Sequence, residues 1–213
     1  MEARYLTSVI IATDDERIRD AAEHFRAGVV LTRSDHASGT DRVAEAASAS
    51  TASIVVNIQG DEPMLDPAAI DAAILGLLED DEAPMGTLKK LIERPEEVRD
   101  PNVVKVVTDR AGNAIYFSRS PIPYVRDASE HFYYKHIGLY VYRREFLLAY
   151  PDLAVGPLEK AEKLEQLRAL ENNFRIRVAE TDYESIGVDT PEDAVRVSAL
   201  MSHAVQASLH EKL

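Results

Sequence analysis

The 213-residue sequence contains no cysteine. This absence excludes disulfide bonds, thiolate metal sites and catalysis by a cysteine nucleophile. A chain without disulfides fits a reducing compartment, and we therefore expect a cytoplasmic protein.

Positive charge is also scarce, because 24 lysines and arginines face 37 aspartates and glutamates, for a formal net charge of −13. So acidic a chain has few cations with which to displace the counterions of a nucleic-acid backbone, which argues against general nucleic-acid binding. Docking on an anionic membrane surface is disfavoured on the same ground. A nucleotide remains a suitable ligand, because a few converging arginines and lysines, or a Mg²⁺ ion, would supply positive charge locally.

Long apolar runs are missing as well. The longest are the size of a β-strand, too short for a transmembrane helix, and residues 1–5 lack the apolar segment of a signal peptide. No internal repeat, low-complexity stretch or Gly/Ser-rich linker divides the chain. Since 46% of the residues are hydrophobic, a sizeable core can be buried, and we predict one domain over residues 1–213 that carries a β-hairpin insertion.

Strand-like and helix-like segments alternate through the first half of the chain. Residues 9–12 form a short apolar run, and residues 16–25 then repeat apolar positions at helical spacing. The same order recurs at residues 54–58, the strongest candidate for a buried strand, and at the helical segment 67–78. This rhythm predicts an α/β fold with a doubly wound, mostly parallel, Rossmann-like sheet.

The second half is less regular, but its patterns still predict defined elements. These are a hairpin of residues 103–107 and 114–117, strands at 136–142 and 176–179, an amphipathic helix at 158–170, and a last helix with Thr190 as N-cap and Pro191 at its first position.

A polar motif, Gln59-Gly60-Asp61-Glu62-Pro63, directly follows the strongest strand. In an open parallel sheet, ligands bind just beyond the carboxyl ends of the strands. Gly60 allows the backbone to pass close to a ligand, and Asp61 offers the oxygen that a hard cation such as Mg²⁺ prefers. A tight turn with solvated carboxylates explains the same residues, and spacing alone does not choose between the two interpretations.

A second acidic motif, residues 187–193, places Asp189 just before the start of the last helix. An Asp or Thr that precedes a Pro at a helix start is ordinary capping, so this motif indicates a site less strongly by itself. Two aspartates at the ends of strands, Asp61 and Asp189, would nevertheless be able to hold one Mg²⁺ between them, and we expect their carboxylates within about 8 Å of each other.

The loop 32–42 is dense in hydrogen-bonding groups and includes Ser38, Gly39 and Thr40. Such a loop can read the edge of a base through hydroxyls and backbone amides. It can equally be a surface turn that leads into a helix N-cap.

Four further polar residues lie at the ends of predicted elements or on them. Arg119 follows a strand, His136 begins one, and Glu165 and Gln166 fall on the predicted helix 158–170. The planar guanidinium of Arg119 suits bidentate binding of a carboxylate. Taken singly, each residue is more often part of a salt bridge or a cap than of a ligand site.

Read together, these segments resemble the CMP-KDO synthetase (3-deoxy-manno-octulosonate cytidylyltransferase) family. The resemblance extends from about Val9 to Val197 and rests on eight blocks in the same order: residues 12–14, 36–42, 56–63, 101–107, 116–119, 136–140, 164–168 and 187–193. A generic nucleotidyltransferase would share the strand and helix rhythm but not the blocks Ser-Gly-Thr-Asp-Arg, Tyr-Phe-Ser-Arg and Leu-Glu-Gln-Leu-Arg.

The resemblance implies a nucleotidyltransferase, usually a homodimer, that transfers CMP from CTP to 3-deoxy-D-manno-octulosonate (KDO) for lipopolysaccharide synthesis. The sugar's anomeric hydroxyl attacks the α-phosphorus of CTP in line and releases pyrophosphate, so catalysis is mostly positioning and charge neutralisation. The residue roles that the resemblance implies are Ser38, Gly39, Thr40 and Gln59 for CTP, Asp61 and Asp189 for Mg²⁺, and Arg119, His136, Glu165 and Gln166 for KDO.

Two other functional classes stay open at this point. One is a related sugar-acid cytidylyltransferase of the CMP-sialic acid synthetase type, against which Arg119, His136 and Gln166 favour KDO. The other is a non-catalytic interaction protein that keeps the fold.

The sequence departs from the family pattern at its N-terminal end. Members of the family begin with a strand and a loop of the form P-A-R-x-x-S-x-R-L-P-x-K that holds the triphosphate, and these 213 residues contain no such loop. We therefore expect low cytidylyltransferase activity and marginal stability of the isolated chain. We also expect the strands at residues 9–12 and 54–58 to leave backbone groups unpaired unless they pair with each other.

Overall fold

Eight strands and seven α-helices make up the part of the chain that the computed structural model describes, residues 3–127, 132–188 and 190–210. The strands are β1 Ile10–Thr13, β2 Gly28–Leu31, β3 Ile54–Asn57, β4 Met85–Leu91, β5 Lys105–Thr108, β6 Ala114–Ser118, β7 Tyr134–Arg143 and β8 Ile176–Glu180. The α-helices are α1 Glu16–His24, α2 Gly39–Ser48, α3 Pro67–Leu78, α4 Arg144–Ala149, α5 Pro157–Glu162, α6 Leu167–Glu171 and α7 Pro191–His210. Short 3-10 helices span Pro95–Val98 and Tyr150–Asp152.

Side-chain caps fix the starts of four helices. Asp15, Ser38 and Asp66 each accept a hydrogen bond from a backbone N–H in the first turn of α1, α2 and α3. Thr190 does the same for α7, where its hydroxyl accepts from the Asp193 N–H at 3.1 Å. Because the first backbone N–H groups of a helix have no partner within it, these caps set where each helix begins, and the predicted cap at Thr190 is confirmed.

The strands form two sheets. β1 and β2 pair in parallel, and the larger sheet has the order β6-β5-β7-β4-β8 with β3 also paired to β7. β4 and β8 are parallel neighbours, whereas β7 runs antiparallel to β3, β4 and β5. The predicted α/β class and the hairpin β5–β6 are therefore confirmed. The larger sheet contains more antiparallel pairs than the sequence predicts. Strands β3, β4, β5 and β8 share one direction, but β7 lies among them and runs in the opposite direction.

Among the described residues, β1 and β3 each have one free edge. Within the described ranges, β1 pairs only with β2, and β3 pairs only with β7. The two strands do not pair with each other, so each leaves one edge of its backbone N–H and C=O groups without a strand partner. This matches the expectation from the sequence for residues 9–12 and 54–58.

Two buried clusters cover opposite faces of the larger sheet. Helix α3 packs Ile70, Ile74 and Leu77 against a cluster that includes Val141 of β7. The next residue, Tyr142, belongs to the other cluster, with α2, α4 and α6. Since consecutive strand residues point to opposite faces, β7 is covered on both sides and is a rigid base for side chains at its ends.

No helix in the described residues is long and apolar enough to cross a membrane.

Candidate active site

The loop before α2 is joined to the segment between α5 and α6. Ser38, the N-cap of α2, accepts a hydrogen bond from the Asp41 N–H at 3.2 Å and donates its own proton to Glu165 Oε1 at 2.8 Å. Thr40 is buried beside Glu165 and Tyr142. The structure thus brings Ser38 and Thr40, predicted for the nucleotide, against Glu165, predicted for the sugar.

The loop that follows β3 reaches the same place. Gln59 Oε1 lies 3.8 Å from where a Cβ on Gly39 would stand, so the two predicted nucleotide loops meet. An ion pair of 3.1 Å between Arg42 and Asp14 ties the end of β1 to α2. Loops that follow β1 and β3 and the start of α2 therefore surround one region.

Glu165 and Gln166 do not lie on a helix, which corrects the prediction of one helix over residues 158–170. That segment is broken into α5 and α6, with Lys163 in the left-handed conformation at φ 55°. The break is stabilised by burial of the Leu164 side chain and by a hydrogen bond of 2.7 Å that Tyr150 Oη donates to the Glu165 carbonyl oxygen. Helical spacing alone carries no signal of such a break, because it depends on partners distant in sequence.

Glu165 and Gln166 both place polar groups where water is largely excluded. Burial raises the pKa of the Glu165 carboxyl, although the hydrogen bond from Ser38 opposes this shift. Gln166 is buried and its Nε2 has no hydrogen-bond partner among the described residues. The same is true of Asn57 Nδ2, at the end of β3, and of Asp41 Oδ1 in α2. Because buried polar atoms are normally paired, unpaired atoms on three residues around one region indicate a polar ligand.

A cleft of about 280 Å³ opens beside Ser38 and Glu165. Its lining includes Lys160 and Lys163, and a buried ion pair of 2.7 Å between Arg168 and Glu159 forms part of its wall. The two lysines place positive charge locally in an acidic protein, as binding of an anion requires.

His136, on β7, is flanked by two aromatic rings. Its ring centroid lies 5.0 Å from that of Phe117 and 5.4 Å from that of Tyr140, and its Nε2 lies 2.9 Å from Thr87 Oγ1. Burial lowers the pKa of His136 to about 3, so the ring is neutral at physiological pH.

Arg119 is fixed by backbone oxygens. Its Nε donates to the Glu162 carbonyl oxygen at 2.8 Å and its Nη1 to the Pro101 carbonyl oxygen at 2.9 Å. The Glu162 carboxylate in turn accepts from the Arg119 N–H and from Ser118 Oγ. Within the described ranges Arg119 makes no hydrogen bond to His136 or Gln166, so their predicted convergence on one sugar stays a prediction.

Asp61 lies in the exposed turn after β3, and its carboxylate has no partner among the described residues. The neighbouring Glu62 is tied down instead, since it accepts from Ser185 Oγ at 2.7 Å and from Tyr183 Oη at 3.3 Å. The Asp61 carbonyl oxygen accepts from the Val188 N–H at 2.8 Å. Asp189 itself lies outside the described residues, so its predicted proximity to Asp61 stays a prediction, although the residue before it touches Asp61.

The described ranges hold no group of three or more His, Cys, Asp or Glu residues suited to a metal ion. An exposed carboxylate directly after β3, without a partner among the described residues, fits a Mg²⁺ ligand, because Mg²⁺ takes one or two protein carboxylates and completes its shell with water and phosphate oxygens.

Sequence reasoning missed two residues that shape this region. Thr87 lies inside a buried strand and Glu162 in a charged segment, and neither position carries a signal in one sequence. Their roles arise from pairing between strands and helices far apart in the chain.

Comparison with known proteins gives consistent results. The model of the family described as cytidylyltransferase matches residues 1–179. A curated protein from Solibacter usitatus, named 3-deoxy-manno-octulosonate cytidylyltransferase, is 67% identical over 204 residues, which cover 95% of this chain and 81% of the relative.

Solved structures of nucleotidyltransferases have a similar fold. The structure of a CMP:2-keto-3-deoxy-manno-octonic acid synthetase complexed with CTP has a TM-score of 0.90 and 41% identity, and covers 95% of this chain and 84% of that one. A glucose-1-phosphate thymidylyltransferase from Bacillus anthracis, at a TM-score of 0.58 and 14% identity over 91% of this chain and 76% of that one, shares the fold alone.

Proposed function

Since the chain belongs to the cytidylyltransferase family, we propose that it is a 3-deoxy-manno-octulosonate cytidylyltransferase, which transfers CMP from CTP to KDO and releases pyrophosphate. The anomeric hydroxyl of KDO attacks the α-phosphorus of CTP, the bond to pyrophosphate breaks, and the hydroxyl proton leaves to solvent. Because no covalent enzyme intermediate is needed, the protein's contribution is to position both substrates and balance their charge.

The hydrogen bond between Ser38 and Glu165 is the structural observation that carries this proposal. It joins a loop assigned to the cytosine to a residue assigned to the sugar acid, so the two substrates would share one wall. Asp41, Asn57 and Gln166 flank the same region, and each has a buried polar atom without a partner among the described residues that would find one in the substrates.

On the nucleotide side, Ser38, Gly39 and Thr40 would contact the cytosine and Gln59 would lie beside the nucleotide. The start of α2 presents backbone N–H groups there, which suits the oxygen acceptors of a base or phosphate. On the sugar side, Arg119 would pair with the KDO carboxylate, and His136, Glu165 and Gln166 would contact the remaining sugar groups. A guanidinium anchored by two carbonyl oxygens is already oriented, so less entropy is lost on binding.

Asp61, with Asp189 as second ligand, would hold Mg²⁺. When bound, the ion neutralises charge on the phosphates of CTP. We further propose that the enzyme acts as a homodimer in the cytoplasm, where CTP is available, and that its product serves lipopolysaccharide synthesis.

The test is to measure pyrophosphate release with CTP, KDO and Mg²⁺, omitting each in turn and replacing KDO by N-acetylneuraminate. We expect release that requires all three and falls at least a hundredfold with the replacement. Preference for N-acetylneuraminate would instead support a synthetase of the sialic acid type. If calorimetry detects binding of neither CTP nor KDO, the protein is a non-catalytic member of the fold.

A further inference from the structure

The pairing between β4 and β7 contains a bulge. Thr87 pairs with Tyr140 and the next residue, Leu88, pairs with Ile137, so Gly138 and Leu139 have no partners in β4. Bulges in sheets commonly lie next to binding sites, where they re-aim a side chain. Here the unpaired residues begin two positions after His136, which pairs with Lys89.

The hydroxyl of Thr87 lies within hydrogen-bond distance of three groups at this bulge. The carbonyl oxygens of Leu139 and Ile137 are 2.8 Å and 3.1 Å away, and His136 Nε2 is 2.9 Å away. Carbonyl oxygens only accept, and the hydroxyl has one proton, so that proton goes to a carbonyl. The remaining contact requires His136 to donate through an Nε2–H.

The tautomer of His136 follows from this hydrogen-bond network. The ring is neutral, because burial lowers its pKa to about 3, and a neutral imidazole carries one N–H. If that proton is on Nε2, then Nδ1 carries a lone pair and is an acceptor. Among the described residues no side chain or backbone group hydrogen-bonds to Nδ1.

The same face of β7 has room for a ligand. His136, Gly138 and Tyr140 alternate along this face, and a Cβ added at Gly138 would meet no atom of the described residues within 4 Å. The rings of Phe117 and Tyr140 flank His136, at 5.0 Å and 5.4 Å between ring centroids. An open space thus lies beside a ring whose orientation is fixed on two sides.

We propose that Thr87 is a positioning residue, which holds His136 as the Nε2–H tautomer so that Nδ1 accepts a hydrogen bond from a hydroxyl of the sugar acid lying over Gly138. This inference rests on the proposed function and gives His136 a defined part in it. His136 selects a hydroxyl donor, whereas the carboxylate goes to Arg119. A sugar acid that lacks this hydroxyl would leave Nδ1 unpaired in an apolar surrounding, which is a strong basis for rejection.

The tautomer can be read by NMR of the protein labelled with ¹⁵N-histidine, without turnover. We expect His136 to show a protonated Nε2 and an unprotonated Nδ1, and we expect the Nδ1 resonance to move on titration with KDO. A protonated Nδ1 in the free protein, or saturation with KDO that leaves Nδ1 unmoved, would overturn the inference while leaving the proposed function intact. Failure of KDO to bind would overturn the proposed function and the substrate half of the inference, and the spectrum of the free protein still decides the tautomer.

Variants separate positioning from simple structural support. Thr87→Val removes the hydroxyl at nearly constant volume, and Thr87→Ser keeps it. Without the Thr87 hydroxyl, the hydrogen bond from the sugar hydroxyl to His136 Nδ1 is misplaced. We therefore expect Thr87→Val to raise the KM for KDO about tenfold with the KM for CTP unchanged. Thr87→Ser should have the KM for KDO of the unaltered protein. Equal changes in both KM values would show a structural role only. If Thr87→Val does not fold, His136→Gln provides the second comparison. The glutamine amide can still donate to Thr87, but it has no acceptor at the Nδ1 position. If His136→Gln has the same KM for KDO as the unaltered protein, the inference is overturned.

Discussion

Ser38 and Glu165 are 127 residues apart in the chain, and the Ser38 hydroxyl donates to Glu165 Oε1 at 2.8 Å. The same hydroxyl oxygen caps α2 by accepting from the Asp41 N–H. One small side chain therefore stabilises the start of a helix and positions a carboxylate whose pKa is raised by burial. Neither half of this arrangement can change without affecting the other.

Replacing Ser38 should affect both stability and nucleotide binding. We expect Ser38→Ala to lower the free energy of unfolding by about 1–2 kcal/mol, because both the cap and the bond to Glu165 are lost. Ser38→Gly should cost less, since glycine is a tolerated N-cap, yet should raise the KM for CTP as much as Ser38→Ala does. Urea unfolding and steady-state kinetics measure the two effects, and unchanged stability in Ser38→Ala would contradict the cap assignment.

Asp61 and Glu62 should respond differently to removal of their charge. Asp61→Asn is expected to lower turnover at least a hundredfold and to weaken Mg²⁺ dependence without a change in melting temperature, because its exposed carboxylate has no partner in the part of the chain that the structure describes. Glu62→Gln is the matched control: we expect it to lower the melting temperature, because it weakens the contacts with Tyr183 and Ser185, and to change turnover much less. Near-normal turnover in Asp61→Asn would remove Asp61 from the metal site.

Arg119→Lys should affect the sugar acid more than the nucleotide. Lysine keeps the charge but loses the planar donors with which Arg119 holds the carbonyl oxygens of Glu162 and Pro101. We expect the KM for KDO to rise about tenfold or more while the KM for CTP changes less than twofold. Equal increases in the two constants would contradict the assignment of Arg119 to the sugar.

His136 should make stability depend on pH in the acid range. Its pKa is lowered by burial from 6.5 to about 3, so between these values the unfolded chain binds a proton that the folded chain does not. The free energy of unfolding should therefore fall as the pH is lowered from 6.5 towards 3, with a contribution of at most about 1.4 kcal/mol per pH unit from this group. Unfolding curves across this range test the slope.

His136→Gln should reduce the dependence of the free energy of unfolding on pH between 6.5 and 3, because glutamine has no group to protonate at that position. Identical slopes in the variant and in the unaltered protein would show that His136 does not contribute.

Much of this protein follows from its sequence alone, because the signals are local. Alternating apolar runs determine that it is an α/β protein, and Thr190 before Pro191 determines where α7 starts, since a cap and its helix are neighbours in the chain. The eight ordered blocks identify the family, and the sequence places the segment of Asp61 directly after β3, where the structure has a turn.

Other features were decided only by the tertiary structure, because they depend on groups distant in sequence. The segment 158–170 has helical spacing throughout, yet it breaks at Lys163 because Leu164 is buried and the Glu165 backbone binds Tyr150. β7 lies antiparallel between its neighbours, which local patterns of apolar residues do not specify. Thr87 acquires its contact with His136 from the register of two strands with a bulge, and register is set by the packing of the whole sheet.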